Sequence, residues 1–147
     1  IARFSLVFLL IQIIYGGFVA GLNAGLIHNH WPMMSDGQFL HESVLLEKDT
    51  WLLRLTEGKS GVQFVHRTMA YIVVGFILFL AFKSHKFNLN TTQKSGITAL
   101  VIIVFIQFTL GIFTLLYSVP LWLGLAHQIV AFFLLTAMTY TLHRLSK

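Results

Sequence analysis

The chain has 147 residues, of which 56% are hydrophobic and only 10% are charged. A water-soluble domain of this size carries roughly a quarter charged residues, so the composition argues against a soluble globular fold. The net charge of +5 comes from lysines and arginines that flank apolar segments without forming a basic face, which argues against a nucleic-acid partner. Because the chain has no cysteine, disulfides and thiolate metal sites are excluded.

Four apolar blocks dominate the sequence, at about residues 4–28, 62–82, 95–117 and 121–142. Each is near or above the ~20 residues that cross a bilayer as a helix. We predict an all-α fold, a transmembrane four-helix bundle that forms a single domain over residues 1–147. The first block is too long for the apolar core of a signal peptide. Since the chain begins at Ile1 rather than Met, we expect it to be part of a longer protein.

The connections between the blocks differ in charge. All five acidic residues lie in the first connection, residues 29–60, whereas the second, residues 83–94, holds three lysines and no acid. Both termini are basic as well, so the positive-inside rule predicts that the termini and residues 83–94 lie on the inner side of the membrane. The first and third helices then run outward, and the second and fourth run back inward. Three tryptophans and a tyrosine fall at the outer boundary, as an aromatic belt would: Trp31, Trp51, Trp122 and Tyr117.

A short motif occurs twice. The first helix carries Gln12 followed by Gly16, and the third carries Gln107 followed by Gly111. Each is followed by an inward-running helix with a histidine near its outer end. The arrangement is typical of one helical hairpin used twice, related by an axis along the membrane normal. We interpret the two glutamines, which lie near the middle of the membrane, as residues that hydrogen-bond between helices.

The two histidines of these hairpins, His66 and His127, are the candidate metal ligands. They lie on helices predicted to run in the same direction, about 9–11 Å below the predicted helix starts. Two imidazoles at one level can bind a single heme iron from both sides, with metal–nitrogen bonds of roughly 2 Å. Ionisable groups inside a membrane are costly and usually face a bundle interior. The alternative is that each histidine only hydrogen-bonds to a neighbouring helix; zinc fits less well, because further ligands are missing at that depth.

Other polar residues near the outer boundary have two interpretations each. Arg67, which follows the first candidate ligand, can pair with a heme propionate or extend to the lipid headgroups. His28, His30 and His41 belong to the outer connection, where they line an entry site or are simply solvated.

Small residues also recur on the first helix, where Gly17, Gly21 and Gly25 form a stripe. Such a stripe favours close helix packing, and a surface that admits a flat ring is the functional alternative. No acidic residue lies inside any apolar block, and no nucleophile triad or carboxylate pair is present. We therefore assign no catalytic residue within this chain.

The order of these motifs resembles one family. The runs GFVAGLNAG at residues 17–25 and NHWPMM at residues 29–34 resemble the opening of the C-terminal half of heme A synthases of the proteobacterial and mitochondrial kind. The run VQFVHR at residues 62–67 is similar to the first heme-ligand segment of that half. The runs QFTLGIFT at residues 107–114 and LAHQ at residues 125–128 are similar to the second. The resemblance covers essentially the whole chain.

The resemblance implies one half of an eight-helix membrane protein with two repeats, which oxidises a methyl group of heme O to the formyl group of heme A. It implies that His66 and His127 are the axial ligands of a heme b cofactor, while the N-terminal half handles the substrate heme O. In the family's catalytic half a glutamate stands three residues before the first histidine, and this chain has Gln63 there. An amide cannot act as a carboxylate base, so the oxidation step is not assigned to this chain.

We therefore expect the heme b-binding half of a heme A synthase, an oxidoreductase that serves cytochrome oxidase. We expect it in the bacterial inner membrane or the mitochondrial inner membrane, with both termini inside. Its expected partners are the lipid bilayer, heme O, and either heme O synthase or another electron-transfer protein. Two alternatives stay open: a stand-alone bis-histidine heme b cytochrome that anchors an electron-transfer complex, and a heme-free transporter or scaffold.

Overall fold

The long apolar blocks form helices because, in a bilayer, every backbone polar group must be satisfied within the protein. The computed structural model describes residues 1–35 and 37–147, and Asp36, one of the acidic residues of the first connection, lies outside the described residues. The helices, in chain order, are α1 (Ala2–Gly21), α2 (Ser43–Leu46), α3 (Trp51–Thr56), α4 (Lys59–Ser84), α5 (Thr91–Leu116) and α6 (Leu121–Leu145). A short 3-10 turn follows α1.

Four of these helices are long enough to cross a membrane. Helices α1, α4, α5 and α6 contain 20, 26, 26 and 25 residues, which makes them about 30–39 Å long. The hydrocarbon core of a bilayer is ~30 Å thick, and all four helices are apolar enough to span it. Large apolar side chains lie exposed along them; Phe82 and Phe132, for example, are 64% and 66% exposed. The predicted all-α transmembrane four-helix bundle is confirmed.

The long helices pack in the cyclic order α1, α4, α5, α6. The most extensive contacts lie within two pairs, α1 with α4 and α5 with α6, and these pairs are joined through α4 with α5 and α6 with α1. Helices α4 and α6 therefore occupy opposite corners and face each other across the bundle interior. Both termini and residues 85–90 lie at one end, which we call the inner end. Residues 22–35, 37–58 and 117–120 lie at the other, the outer end.

The main apolar core lies between the middle of the bundle and its inner end. All four long helices contribute to it, and its buried members are Leu9, Val73, Ile77, Leu80, Leu100, Val104, Leu134 and Met138. Close packing of this kind fixes the spacing of the helices. The outer half of the bundle, by contrast, holds the glutamines and histidines that the sequence singled out.

Helix α1 ends at Gly21, before the end of its apolar block at residue 28. Asn23 adopts a left-handed backbone conformation, with φ 53°, which stops a right-handed helix and which asparagine tolerates better than most residues. The rest of the block folds over the outer end, where a Cβ added to Gly25 would lie 2.7 Å from the Val119 Cγ2. Gly25 therefore packs tightly, but it lies in the 3-10 turn beyond α1 and against a turn rather than a helix. A Cβ added to Gly17 or Gly21 would meet no atom of the described residues within 4 Å.

The outer connection is anchored to the start of α4. Helices α2 and α3 both pack on α4, and the Glu47 carboxylate accepts hydrogen bonds from the backbone N–H groups of Lys59 (2.9 Å) and Ser60 (2.8 Å). A negative charge at a helix N-terminus is stabilising. Trp51 and Trp122, two members of the predicted aromatic belt, are 71% and 69% exposed at this end. The connection is therefore a folded cap that is continuous with the bundle.

The contact between α3 and α4 depends on a glycine, which gives a stability prediction. A Cβ added to Gly61 would lie 1.9 Å from the backbone oxygen of Arg54, whereas a Cβ added to Gly75, on the same helix, would meet no described atom within 4 Å. We expect Gly61→Ala to destabilise the protein by about 1–3 kcal/mol, the usual effect of overpacking. Gly75→Ala should be neutral or slightly stabilising, because alanine is the better helix former.

Thermal unfolding of the detergent-solubilised protein measures both variants. The expected result is a lower midpoint for Gly61→Ala and an unchanged or higher midpoint for Gly75→Ala. Equal midpoints for the two variants would contradict the packing described here.

Candidate functional site

His66 extends from α4 across the α1–α4 interface. It lies about 10 Å from the outer start of its helix, and its Nε2 is 3.4 Å from the amide nitrogen of Gln12. The ring lies against Gly16, where an added Cβ would be 3.2 Å from the ring Cε1 and 3.8 Å from Nδ1. The Nδ1 atom is buried and has no hydrogen-bond partner in the described part of the chain.

His127 makes the same contacts in the second hairpin. Its Nε2 is 3.2 Å from the amide nitrogen of Gln107, and a Cβ added to Gly111 would be 3.0 Å from its Cε1 and 3.6 Å from its Nδ1. Its Nδ1 is likewise buried, with no hydrogen-bond partner among the described residues. An alanine at position 111 would therefore push the ring out of its present place.

The two contacts are copies of one arrangement. In each, an outward-running helix supplies a glutamine and, four residues later, a glycine, and an inward-running helix supplies the histidine. His66 and His127 stand on α4 and α6, the two helices at opposite corners of the bundle. Both lie near the outer starts of these helices, within the outer half of the bundle.

The donor chemistry of this region fits an iron porphyrin. Two imidazoles complete the coordination of a metal that brings four in-plane ligands of its own, as heme iron does. The rings lie inside the bundle, where a low dielectric strengthens every charge interaction. The two glycines leave each ring without a neighbouring Cβ on one side, so each imidazole can pack closely on the facing helix.

Arg67 is hydrogen-bonded to the outer connection. We call residues 28–34 the strap. The guanidinium donates to four backbone carbonyls of the strap, those of His28 (3.5 Å), His30 (2.8 Å), Pro32 (3.1 Å) and Met33 (2.9 Å). Since Arg67 follows His66 directly, it fixes the strap beside the candidate ligand. The pairing of Arg67 with a propionate stays a prediction, and it would compete with these hydrogen bonds.

Two histidines of the outer connection form a hydrogen-bonded cluster. The Nε2 of His28 is 3.1 Å from the Ser60 hydroxyl oxygen, and the Nδ1 of His41 is 2.7 Å from the hydroxyl oxygen of Ser43. The Ser43 hydroxyl donates to the Ser60 hydroxyl at 2.8 Å, which joins the two halves of the cluster. Sequence reasoning missed the serines, because Ser60, which joins the cluster, lies 32 residues from His28 and 17 from Ser43 in the chain. His30 lies outside the cluster and is exposed.

Gln63 closes the outer side of the site. Its side chain is 2% exposed, and its amide nitrogen donates to the backbone carbonyl of His28 at 3.3 Å. The side chain thus positions the strap through an amide, which neither takes up nor releases a proton near neutral pH.

Sequence comparison relates the chain to one protein family. A sequence profile of the COX15-CtaA family, described as cytochrome oxidase assembly protein, matches residues 1–139. Two proteins named heme A synthase, from Flavobacterium psychrophilum and Flavobacterium johnsoniae, are 71% and 74% identical to this chain over 147 residues, 100% of this chain and 43% of each relative. A heme A synthase of Wolbachia pipientis wMel is 39% identical over 142 residues, 97% of this chain and 38% of that protein. No solved structure matches the chain.

Fold and site define a membrane-spanning four-helix protein with a histidine pair in its interior. The chain spans less than half the length of the curated relatives it matches. Since the family profile covers nearly all of its residues, the chain belongs to the COX15-CtaA family of cytochrome oxidase assembly proteins.

The anchoring of the strap gives a second prediction. Replacing Arg67 with alanine removes four hydrogen bonds to strap carbonyls, so we expect Arg67→Ala to expose residues 28–34 to proteases. The control is Lys59→Ala, which removes the same charge from an exposed position earlier on α4. Limited proteolysis with mass spectrometry of the fragments measures the effect. We expect cleavage within the strap to accelerate in Arg67→Ala alone; equal cleavage rates in both variants would contradict the anchoring role.

The pKa of His28 gives a third prediction. Burial lowers this pKa below its ordinary value of 6.5, the charges of His41, Arg67 and His30 lower it further, and Glu47 opposes them. A detached connection therefore takes up a proton on His28 at a higher pH than the packed connection does. The stability that this group contributes is complete above about pH 6.5 and is lost as the pH falls below it.

Hydrogen exchange of residues 22–58 between pH 7.5 and pH 5 tests this dependence. We expect protection to fall with pH once the intrinsic exchange rate is corrected for, and His28→Gln to flatten the profile. His85→Gln, at the exposed inner end, is the control and should retain the slope. A slope that is unchanged in His28→Gln would show that another group is responsible.

Proposed function

We propose that this chain is the heme b-binding half of a heme A synthase. The whole protein oxidises a methyl group of heme O to the formyl group of heme A, the form that cytochrome oxidase uses. Family membership supports this proposal, and so do the relatives named heme A synthase, which match the chain along its whole length. Because those relatives extend well beyond the matched region, we assign the binding of heme O to the part of the protein outside this chain.

One observation carries the assignment of the cofactor to this half. The Gln–His–Gly contact is made twice, on opposite sides of the interior, by the residues at Gln12, Gly16 and His66 and by their counterparts in the second hairpin. A lone histidine that only joins two helices needs no counterpart across the bundle. A symmetric macrocycle that is bound from both faces needs a counterpart of this kind.

Within this proposal the residues of the chain have distinct roles. His66 and His127 would hold the heme iron through their ring nitrogens, and the apolar bundle would keep water away from them. When bound, the heme supplies one-electron redox chemistry, whose potential depends on the axial ligands and their surroundings. Arg67 and the strap cover the outer edge of the site, where the guanidinium can exchange a carbonyl partner for a propionate.

The charge distribution supports one orientation in the membrane. Lysines and arginines stand at the inner end of the bundle, and the acidic residues of the chain all belong to the outer connection. We assign the inner end to the cytoplasmic side of a bacterial inner membrane, or to the matrix side of a mitochondrial one, by the positive-inside rule. The heme then lies nearer the outer surface.

The optical spectrum of the intact protein, purified in detergent, tests the ligand assignment. We expect a six-coordinate low-spin heme b that becomes high-spin or is lost in His66→Ala and in His127→Ala, because each variant lacks one axial nitrogen. His143→Ala is the matched control, since it removes an exposed histidine from the same helix as His127. Low-spin heme b that is retained in both ligand variants would refute the proposal. A colourless wild-type protein would instead favour a heme-free role.

A further inference from the structure

Gln12 and Gln107 occupy the same place in the two hairpins. Each amide nitrogen points at the Nε2 of the facing histidine, at 3.4 Å and 3.2 Å. An amide N–H can only donate, so Nε2 accepts in this contact and carries no proton of its own. The proton of a neutral imidazole is then on Nδ1. With the amides in this orientation, each glutamine pairs with the Nδ1–H tautomer of its histidine.

The same contacts leave unpaired polar atoms in the interior. The Oε1 of Gln12 and of Gln107, and the Nδ1 of both histidines, are buried without a hydrogen-bond partner in the described part of the chain. Leaving a buried donor or acceptor unpaired costs free energy, and such groups in native structures call for an explanation. Here each hairpin contains one unpaired N–H donor and one unpaired acceptor on neighbouring side chains.

Binding of a metal to the histidine would give the unpaired donor and the unpaired acceptor a reason to pair with each other. Metal-ligating histidines almost always donate their second ring N–H to a carboxylate, carbonyl or water, which fixes the ring and raises its basicity. A glutamine side-chain oxygen is a carbonyl of this kind. If Nε2 binds iron, the glutamine loses its acceptor there, and its own Oε1 becomes available to the Nδ1–H group.

We propose that Gln12 and Gln107 are the positioning residues of the two axial histidines. Before heme binds, each holds its imidazole with the Nε2 lone pair unprotonated. After Nε2 has bound iron, each accepts the Nδ1–H hydrogen bond through Oε1. This inference rests on the proposed function, because it takes heme iron as the metal.

The glycines make this exchange sterically possible. Gly16 and Gly111 each lie four residues after the glutamine, on the same helix face, and touch the ring where an added Cβ would lie at 3.2 Å or 3.0 Å from Cε1. In the proposed exchange, the ring turns from the state in which Nε2 accepts the amide N–H to the state in which Nδ1–H donates to Oε1. No Cβ blocks the ring on the glycine side. The site requires an amide and a position without a Cβ that both face the same ring, and this requirement explains the repeated glutamine–glycine spacing. A hydrogen bond between two helices would require the glutamine alone.

The test compares Gln12→Leu and Gln107→Leu in the intact protein, with Gln128→Leu as the matched control. Gln128 neighbours His127 and is exposed, so its replacement changes the same chemical group outside the site. We expect each site variant to lose about 10–100-fold in heme affinity, the usual effect of removing such a partner. The remaining low-spin heme should have a higher reduction potential and altered EPR g-values, because its imidazole is less basic. The control should match the wild type in all three measurements.

Gln12→Glu and Gln107→Glu keep the test decisive if the leucine variants fail to fold. A carboxylate is a stronger acceptor than an amide, so these variants should retain low-spin heme and lower its potential below that of the wild type. Low-spin heme with an unchanged potential and g-values in all four variants would overturn the inference and leave the proposed function intact. Absence of heme from the wild-type protein would instead refute the proposed function.

Discussion

An imidazole packed against a helix backbone, with its Nδ1 buried, is the interaction on which the rest of the site depends. A ring can approach another helix this closely only where that helix has no Cβ, and Gly16 and Gly111 provide such places. Because the two glycines lie in equivalent hairpins, the rings of His66 and His127 lie at the α1–α4 and α5–α6 interfaces, on opposite sides of the bundle. The spacing of α1 and α4, and that of α5 and α6, is therefore just wide enough at the glycine to accommodate one imidazole ring.

The two halves of the bundle serve different purposes. From its middle to its inner end, apolar side chains such as Ile77, Leu100 and Met138 are buried almost completely, and this packing holds the helices at fixed separations. Because the inner half fixes the separation of the helices, the outer half can contain polar groups and glycines without the helices moving closer together. The strap completes the enclosure, since Arg67 and Gln63 attach it to α4 within four residues of each other.

The sequence predicted the features that depend on length and composition. Four apolar blocks predicted four spanning helices, and the position of Gln12 and Gln107 predicted hydrogen bonds between helices. The sequence did not show that their partners are His66 and His127. It did not predict the end of α1, because the stop is set by the backbone conformation of Asn23 inside an apolar run. Nor did it predict the partners of Arg67, which are backbone carbonyls more than thirty residues away. Hydrogen bonds to the backbone leave no residue pattern, so they become visible only in the folded chain.

The distribution of charge limits the chemistry that this chain can contribute. All acidic residues lie in the outer connection, and the position three residues before His66 carries the amide of Gln63. The polar groups that line the interior are therefore amides, hydroxyls and imidazoles, and the imidazoles are assigned to iron in the proposed function. Such a set can hold a cofactor and tune its potential, but it offers no carboxylate to accept a proton from a substrate. In the proposed function, the residues of this chain therefore hold the cofactor and tune its potential.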